Sequence, residues 1–227
     1  RVGIGELMVI GVMRDITERK HLIETMTHYA SHDDLTGLYN RREFQLQLNT
    51  LFEDTNHNSL PHVLMYIDLD QFKIVNDTCG HQAGDELMRQ VAAYIQSSIP
   101  SGNTLARLGG DEFGVLIRYC GVDHALEVAE GIRDRISAFE FHWKERAFKI
   151  STCIGVSVID DQHASPEAVM SAADAACYVA KDKGRNRVQL YFGGEDSTRK
   201  RKEMAWVPRI EQAIREDRLE LHYQKII

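Results

Sequence analysis

The chain has 227 residues, 43% of them hydrophobic and 27% charged, values that exclude a low-complexity or disordered chain and leave room for one sizeable domain with pieces of others. A formal net charge of −7 argues against a nucleic-acid partner, despite the local Arg199-Lys-Arg-Lys202 run. No apolar run reaches the length of a membrane span and no signal peptide is visible. Cys79, Cys120, Cys153 and Cys177 lack the paired spacing of zinc or redox sites, so they read as reduced thiols in a cytoplasmic compartment.

In chain order, Leu7-Met-Val-Ile-Gly-Val-Met13 reads as a strand. Asp15 and Glu18 are placed to cap a helix running through Leu22, Ile23, Met26, Tyr29 and Ala30. Asn40 and Glu43 cap an amphipathic helix with Phe44, Leu48, Leu51 and Phe52, where Arg41 and Arg42 read as structural or regulatory. His62 to Ile67 is a nearly unbroken apolar run, the pattern of a buried central strand, and predicts a strand over about 62–68. Strands at about 104–108 and 113–118 flank Gly109-Gly-Asp-Glu112, because paired glycines supply the positive φ of a hairpin turn. A strand over about 150–159 is rich in β-branched residues. Ser165-Pro166 opens a helix with an alanine-rich stripe (Ala172, Ala173, Ala176, Cys177, Ala180), and Gly184 suits its left-handed C-cap. Residues 193–197 read as linker, 206–214 as a helix and 219–227 as a strand. The fold expected is α/β, a central, mainly antiparallel five-stranded sheet flanked by helices.

The chemistry concentrates at strand ends. Asp68-Leu69-Asp70 closes the buried strand, with Asp68 and Asp70 on one face and the Leu69 carbonyl available as a ligand. Asp111 and Glu112 sit on the hairpin tip. Such a hard-oxygen set suits Mg²⁺, and adjacent acids repel unless a cation or an acid–base task offsets the cost. Lys181, Lys183, Arg185 and Arg187 crowd a helix end, where cations are stabilising by themselves but also suit a polyphosphate. Metal-holding acids plus phosphate-holding cations describe nucleotidyl or phosphoryl transfer.

Six stretches carry a resemblance: His32-Asp-Asp-Leu-Thr-Gly-Leu-Tyr-Asn-Arg-Arg42, Asp68-Leu-Asp-Gln-Phe-Lys73, Asn76-Asp-Thr-Cys-Gly-His81, Gly84-Asp85, Arg107-Leu-Gly-Gly-Asp-Glu-Phe113 and Lys181-Asp-Lys-Gly-Arg-Asn-Arg187. In order and spacing they resemble the GGDEF-domain diguanylate cyclases over roughly 28–192. The resemblance implies a palm-like sheet similar to nucleotidyl cyclases. It implies Mg²⁺, two ions per site with Mn²⁺ as a substitute, held by Asp68, the Leu69 carbonyl and Asp111. Glu112 would be the base for the GTP 3′-hydroxyl. Asn76 and Asp85 would read guanine, with Phe72 and His81 beside the nucleotide, and Lys73, Lys181 and Arg185 would neutralise phosphate. Two such domains, each with one GTP, would face each other as a homodimer and make cyclic di-GMP. Plainer readings compete at several positions: Asn76-Asp77 as a turn, Asp85 as a helix-start acid, Lys73 as a solvated lysine, and His81 as structural about as readily as functional.

The resemblance also divides the chain. Residues 1–19 resemble the end of a PAS sensor domain, 20–31 a linker helix, 32–193 the GGDEF domain, and 194–227 a linker with the start of an EAL domain. These sensor and EAL domains are the expected partners within a longer chain, which can still be membrane-tethered elsewhere. Relatives often carry Arg-x-x-Asp five residues before the glycine pair as a product-binding inhibitory site; Pro100-Ser-Gly-Asn103 stands there, so that site is expected to be lost. The expected activity is diguanylate cyclase, the alternative a catalytically idle GTP-binding module regulating an adjacent EAL phosphodiesterase.

Overall fold

The buried run His62–Asp70 forms strand β2, the centre of the sheet, with all nine residues buried. The computed structural model describes residues 26, 28–55, 61–160 and 163–191. The expected PAS-like segment 1–19, most of the linker helix at 20–31 and the segment 194–227 lie outside these residues.

The other elements, in chain order, are β1 (Tyr39–Asn40), α1 (Arg41–Asp54), α2 (Phe72–Cys79), α3 (His81–Ser98), β3 (Thr104–Gly109), β4 (Glu112–Ile117), α4 (Val122–Ala138), the hairpin β5 (Glu140–Trp143) and β6 (Arg146–Lys149), β7 (Ser151–Ile159), α5 (Pro166–Asp182) and β8 (Arg187–Leu190). The main sheet has six strands in the order β1-β3-β4-β2-β7-β8. The sheet flanked by helices is as expected, with six strands in place of five and parallel pairings at its two edges. Its central pairings are antiparallel, while β1 pairs with β3 and β8 with β7 in parallel. The edge strands β1 and β8 are too short to show a period-2 pattern.

Alternation along β2 assigns the faces. Val63, Met65, Ile67 and Leu69 join Leu87, Val91 and Ile95 of α3 and Ala129, Ile132 and Ile136 of α4 in one core cluster. Leu64 and Tyr66 face the other way, into a cluster with Phe44, Leu48 and Leu51 of α1 and Val169, Ala173, Cys177 and Ala180 of α5. Two predicted caps are present. The Asn40 side chain accepts from the Glu43 N–H at 3.0 Å and Ser165 from the Ala168 N–H at 3.2 Å, each satisfying an orphan donor of a first turn.

The end of the sheet remote from the acids holds a buried histidine. His62 Nδ1 accepts from the Tyr119 N–H at 3.1 Å, its Nε2 lies 3.2 Å from Asp54 Oδ2, and the Tyr119 hydroxyl donates to the same carboxylate oxygen at 3.0 Å. Burial lowers the His62 pKa; Asp54 pushes back, and the net shift is downward from 6.5. The unfolded chain therefore takes up a proton below about pH 6.5 that the folded chain resists, so this group's contribution to stability is lost as pH falls. Melting temperature should fall between about pH 7 and pH 5, and less steeply in His62→Gln. Parallel melting curves for the two proteins check this, and equal slopes would contradict it.

Candidate nucleotide-binding and catalytic site

The acids meet because the β3–β4 turn is laid against the end of β2. The turn uses φ of 149° at Gly109 and 49° at Gly110, the latter a left-handed conformation that glycine adopts without a Cβ penalty. The Leu69 N–H donates to the Asp111 carbonyl at 3.2 Å, and Asp68 lies directly opposite Glu112 in the β2–β4 register. Asp68 and Asp70 share the α5 face, as alternation along the strand requires.

From α5, Lys181 Nζ reaches Asp68 Oδ2 at 2.5 Å. Burial raises the Asp68 pKa to about 6; Lys181 pulls it down, while Asp111 and Glu112 push it up further. Lys181 is also desolvated, yet Asp68 outweighs this and holds the ammonium above its ordinary pKa. Glu112 is restrained by Arg41, whose Nη2 lies 3.3 Å from Oε2 while its Nε donates to the Leu108 carbonyl at 2.8 Å. The Tyr66 phenol, its pKa raised by burial first, adds a hydrogen bond to Glu112. Among the described residues, no three acidic, histidine or cysteine side chains converge in a ready metal cage. The donor set still fits a hard divalent cation: Asp68 and Asp111 offer carboxylate oxygens on adjoining strand ends, and burial with neighbouring carboxylates raises the Asp68 pKa in a way a bound cation would offset.

The second half of the site follows directly in the chain. Gln71 turns the backbone at φ 64° and starts α2, which carries Phe72, Lys73 and Asn76. Gly80, at φ 84°, turns α2 into α3. Asn76 therefore belongs to a helix rather than to a turn. Its Oδ1 is buried and has no hydrogen-bond partner among the described residues. Gly84 makes room for it: a Cβ there would lie 1.9 Å from Asn76 Oδ1 and 3.2 Å from the Phe72 ring. His81 and Asp85, one helical turn apart at the start of α3, are both exposed, as is Lys73 on α2.

The segment expected to have lost a product site is a local turn. Asn103 donates to the Pro100 carbonyl at 3.0 Å and accepts from the Arg118 N–H at 3.0 Å. It lines a groove of about 460 Å³ with His32, Tyr39 and Gln96, and neither an arginine nor an aspartate is among the lining residues.

The family model described as "Diguanylate cyclase, GGDEF domain" matches residues 30–187. The chain belongs to the GGDEF-domain diguanylate cyclase family. It is 42% identical over 188 residues to the probable diguanylate cyclase DgcE of Escherichia coli (strain K12), covering 83% of this chain and 17% of that protein. It is 37% identical over 219 residues to the cyclic di-GMP phosphodiesterase PdeB of Shewanella oneidensis, covering 95% of this chain and 25% of that one. The chain thus spans a quarter or less of the length of these two curated relatives. A solved structure of the coiled coil and GGDEF domain of DgcB from Caulobacter crescentus, in complex with c-di-GMP, matches with a TM-score of 0.73 at 29% identity, covering 77% of this chain and 93% of that one. The palm-like α/β fold of GGDEF domains is therefore present. No helix among its described residues is long and apolar enough to cross a membrane.

Two residues of this GGDEF domain that bear on the site, Arg41 and Arg107, were not read as binding or catalytic from the sequence, and a third, Asp70, was expected in the oxygen set beside Asp68. Arg41 braces Glu112 across 71 positions of chain. Arg107 ties the turn to the loop before β1, donating to the Gly110 carbonyl at 2.8 Å and pairing with Asp33 at 3.2 Å. Asp70 accepts from the Ser151 hydroxyl at 2.7 Å rather than joining Asp68. Arg107 carried a signal in its place immediately before the turn, and Asp70 in its place at the strand end; Arg41 carried none for this contact.

Proposed function

We propose that this chain is a Mg²⁺-dependent diguanylate cyclase that works as a homodimer and condenses two GTP into cyclic di-GMP with release of pyrophosphate. The observation that carries the reading is Asp68 opposite Glu112, with Lys181 on Asp68, at the end of a strand whose next helix holds a buried Asn76 Oδ1 with no partner among the described residues. Glu112 takes the proton of the GTP 3′-hydroxyl as that oxygen bonds to the α-phosphorus of the second nucleotide, and pyrophosphate leaves with the electrons of the broken P–O bond. Lys73, Lys181 and Arg185 draw charge off the phosphates. Asp68, the Leu69 carbonyl and Asp111 would hold Mg²⁺, which would neutralise charge on the triphosphate. One site holds one GTP, so closing the ring through both 3′-hydroxyls needs a second copy facing the first. A sensor domain and an EAL domain in a longer chain would supply control.

Guanine selection follows from acceptors. The Asn76 Oδ1 and the Asp85 carboxylate suit the N1–H and 2-amino donors of guanine, with Phe72 and His81 beside the base. Adenine presents an acceptor at N1 and would leave a buried acceptor unpaired, a cost of roughly 1–3 kcal/mol. GTP should accordingly bind at least about tenfold more tightly than ATP. In Gly84→Ala the new Cβ must displace the Asn76 amide, the end of a side chain, so the fold should survive while GTP affinity falls by about 5- to 150-fold. Calorimetry with both nucleotides tests this reading. Equal affinity for GTP and ATP, or no effect of Gly84→Ala, would contradict it.

A further inference from the structure

Asp70 ends the same strand as Asp68 but is surrounded differently. Its side chain is 1% exposed, and both carboxylate oxygens are taken. Ser151 Oγ donates to Oδ2 at 2.7 Å and the Asn186 backbone N–H to the same atom at 3.3 Å. Cys153 Sγ donates to Oδ1 at 3.3 Å, and Arg185 Nε lies 3.7 Å from it. Two of these partners belong to β7 and two to the loop joining α5 to β8.

That loop runs through left-handed backbone at consecutive residues, with φ of 108° at Gly184, 59° at Arg185 and 47° at Asn186. Glycine adopts this freely. Arg185 and Asn186 do so at a cost, and such a conformation persists only where its surroundings over-determine it. The Gly184 and Arg185 N–H groups are used in closing the helix, bonding the Lys181 and Ala180 carbonyls at 3.2 and 3.1 Å. The Asn186 N–H bonds Asp70. A buried carboxylate fixed to β7 by Ser151 and Cys153 is thus the anchor of the turn.

We propose that Asp70 is a positioning residue: it pins the Arg185–Asn186 turn to the sheet and so presents Arg185, together with Lys181, to the phosphates of a bound nucleoside triphosphate. The inference rests on the nucleotide-binding reading of the site. It separates the two acids of one strand end, giving Asp68 to the cation and Asp70 to the loop.

The test compares the chain with Asp70→Asn and Ser151→Ala, using GTP and guanosine as probes and amide hydrogen exchange at Asn186 without nucleotide. Asp70→Asn keeps the shape but removes the charge, so GTP affinity should fall about tenfold, as for one charge-assisted contact, while guanosine affinity by NMR titration stays within about twofold. Exchange at Asn186 should quicken by about tenfold as its acceptor weakens. Ser151→Ala takes away one strut and should move both readouts the same way by about threefold, which keeps the test decisive if Asp70→Asn does not fold. Equal losses for GTP and guanosine would overturn the positioning role, as would a variant that binds GTP and exchanges Asn186 like the parent. A parent chain that binds no GTP overturns the nucleotide reading, and this inference with it. GTP binding by the parent with no change in either variant overturns the inference alone.

Discussion

Glu112→Gln should leave GTP binding nearly intact and lower the rate of cyclic di-GMP formation by about 10²–10⁴-fold, the usual cost of losing one general base. The amide keeps the size of the side chain and can still accept from Arg41 and Tyr66, which restrain Glu112 in the parent. What it cannot do is take a proton. The variant therefore separates chemistry from architecture. If it turned over at close to the parent rate at concentrations where the chain is dimeric, Glu112 would not be the base. An equal collapse of GTP affinity would mean that its charge serves binding rather than proton transfer.

The second large effect is on stability. Gly155 lies in β7 beneath α5, where a Cβ would stand 1.9 Å from the Ala173 carbonyl oxygen and 2.4 Å from the Cys177 nitrogen. Both are backbone atoms of a regular helix and cannot rotate away. Gly155→Ala must push α5 off the sheet, and overpacking of this kind costs roughly 1–3 kcal/mol or more. At about 2–4 °C per kcal/mol for a chain of this length, the melting temperature should drop by ~6–12 °C at the upper end of that range. Lys181 rides on α5, so GTP affinity should fall in step. A melting curve within about a degree of the parent would show that the helix can yield at this point at little cost.

This contact also explains what the sequence conveys and what it hides. The alanine stripe of α5 was legible because small residues recurred on one helical face, and its N-cap was legible because Ser165-Pro166 is a local signal. Glycine 155 was invisible, since nothing within a β-branched strand tells which glycine touches a helix backbone. The strands 62–68, 104–108, 113–118 and 150–159 were readable from apolar runs and turn residues, and each has its counterpart in the sheet. The edge strands were not, because a parallel edge of two or four residues is defined by its partner rather than by its own pattern. Within the site, Asp68, Asp111, Glu112 and Lys181 are neighbours in the folded chain. The contacts of Arg41 and Asp70 were hidden for one physical reason. Their partners are distant in the chain, 71 positions to Glu112 and 116 to Asn186, and only the folded sheet makes them neighbours. Asn76 was open to a reading as a turn, and it is the α2–α3 junction that buries its amide over Gly84.

The proposed role of the acids at the β2 end and the β3–β4 turn is to join two guanine nucleotides. The most direct measurement is incubation of the chain, at concentrations where it dimerises, with GTP and Mg²⁺, followed by separation of the products. Cyclic di-GMP and two equivalents of pyrophosphate are expected, at a rate that climbs more steeply than linearly with protein concentration, with Glu112→Gln slower by about 10²–10⁴-fold. GTP bound tightly by a dimer that never forms a dinucleotide, or dinucleotide formed equally well by Glu112→Gln, would contradict it.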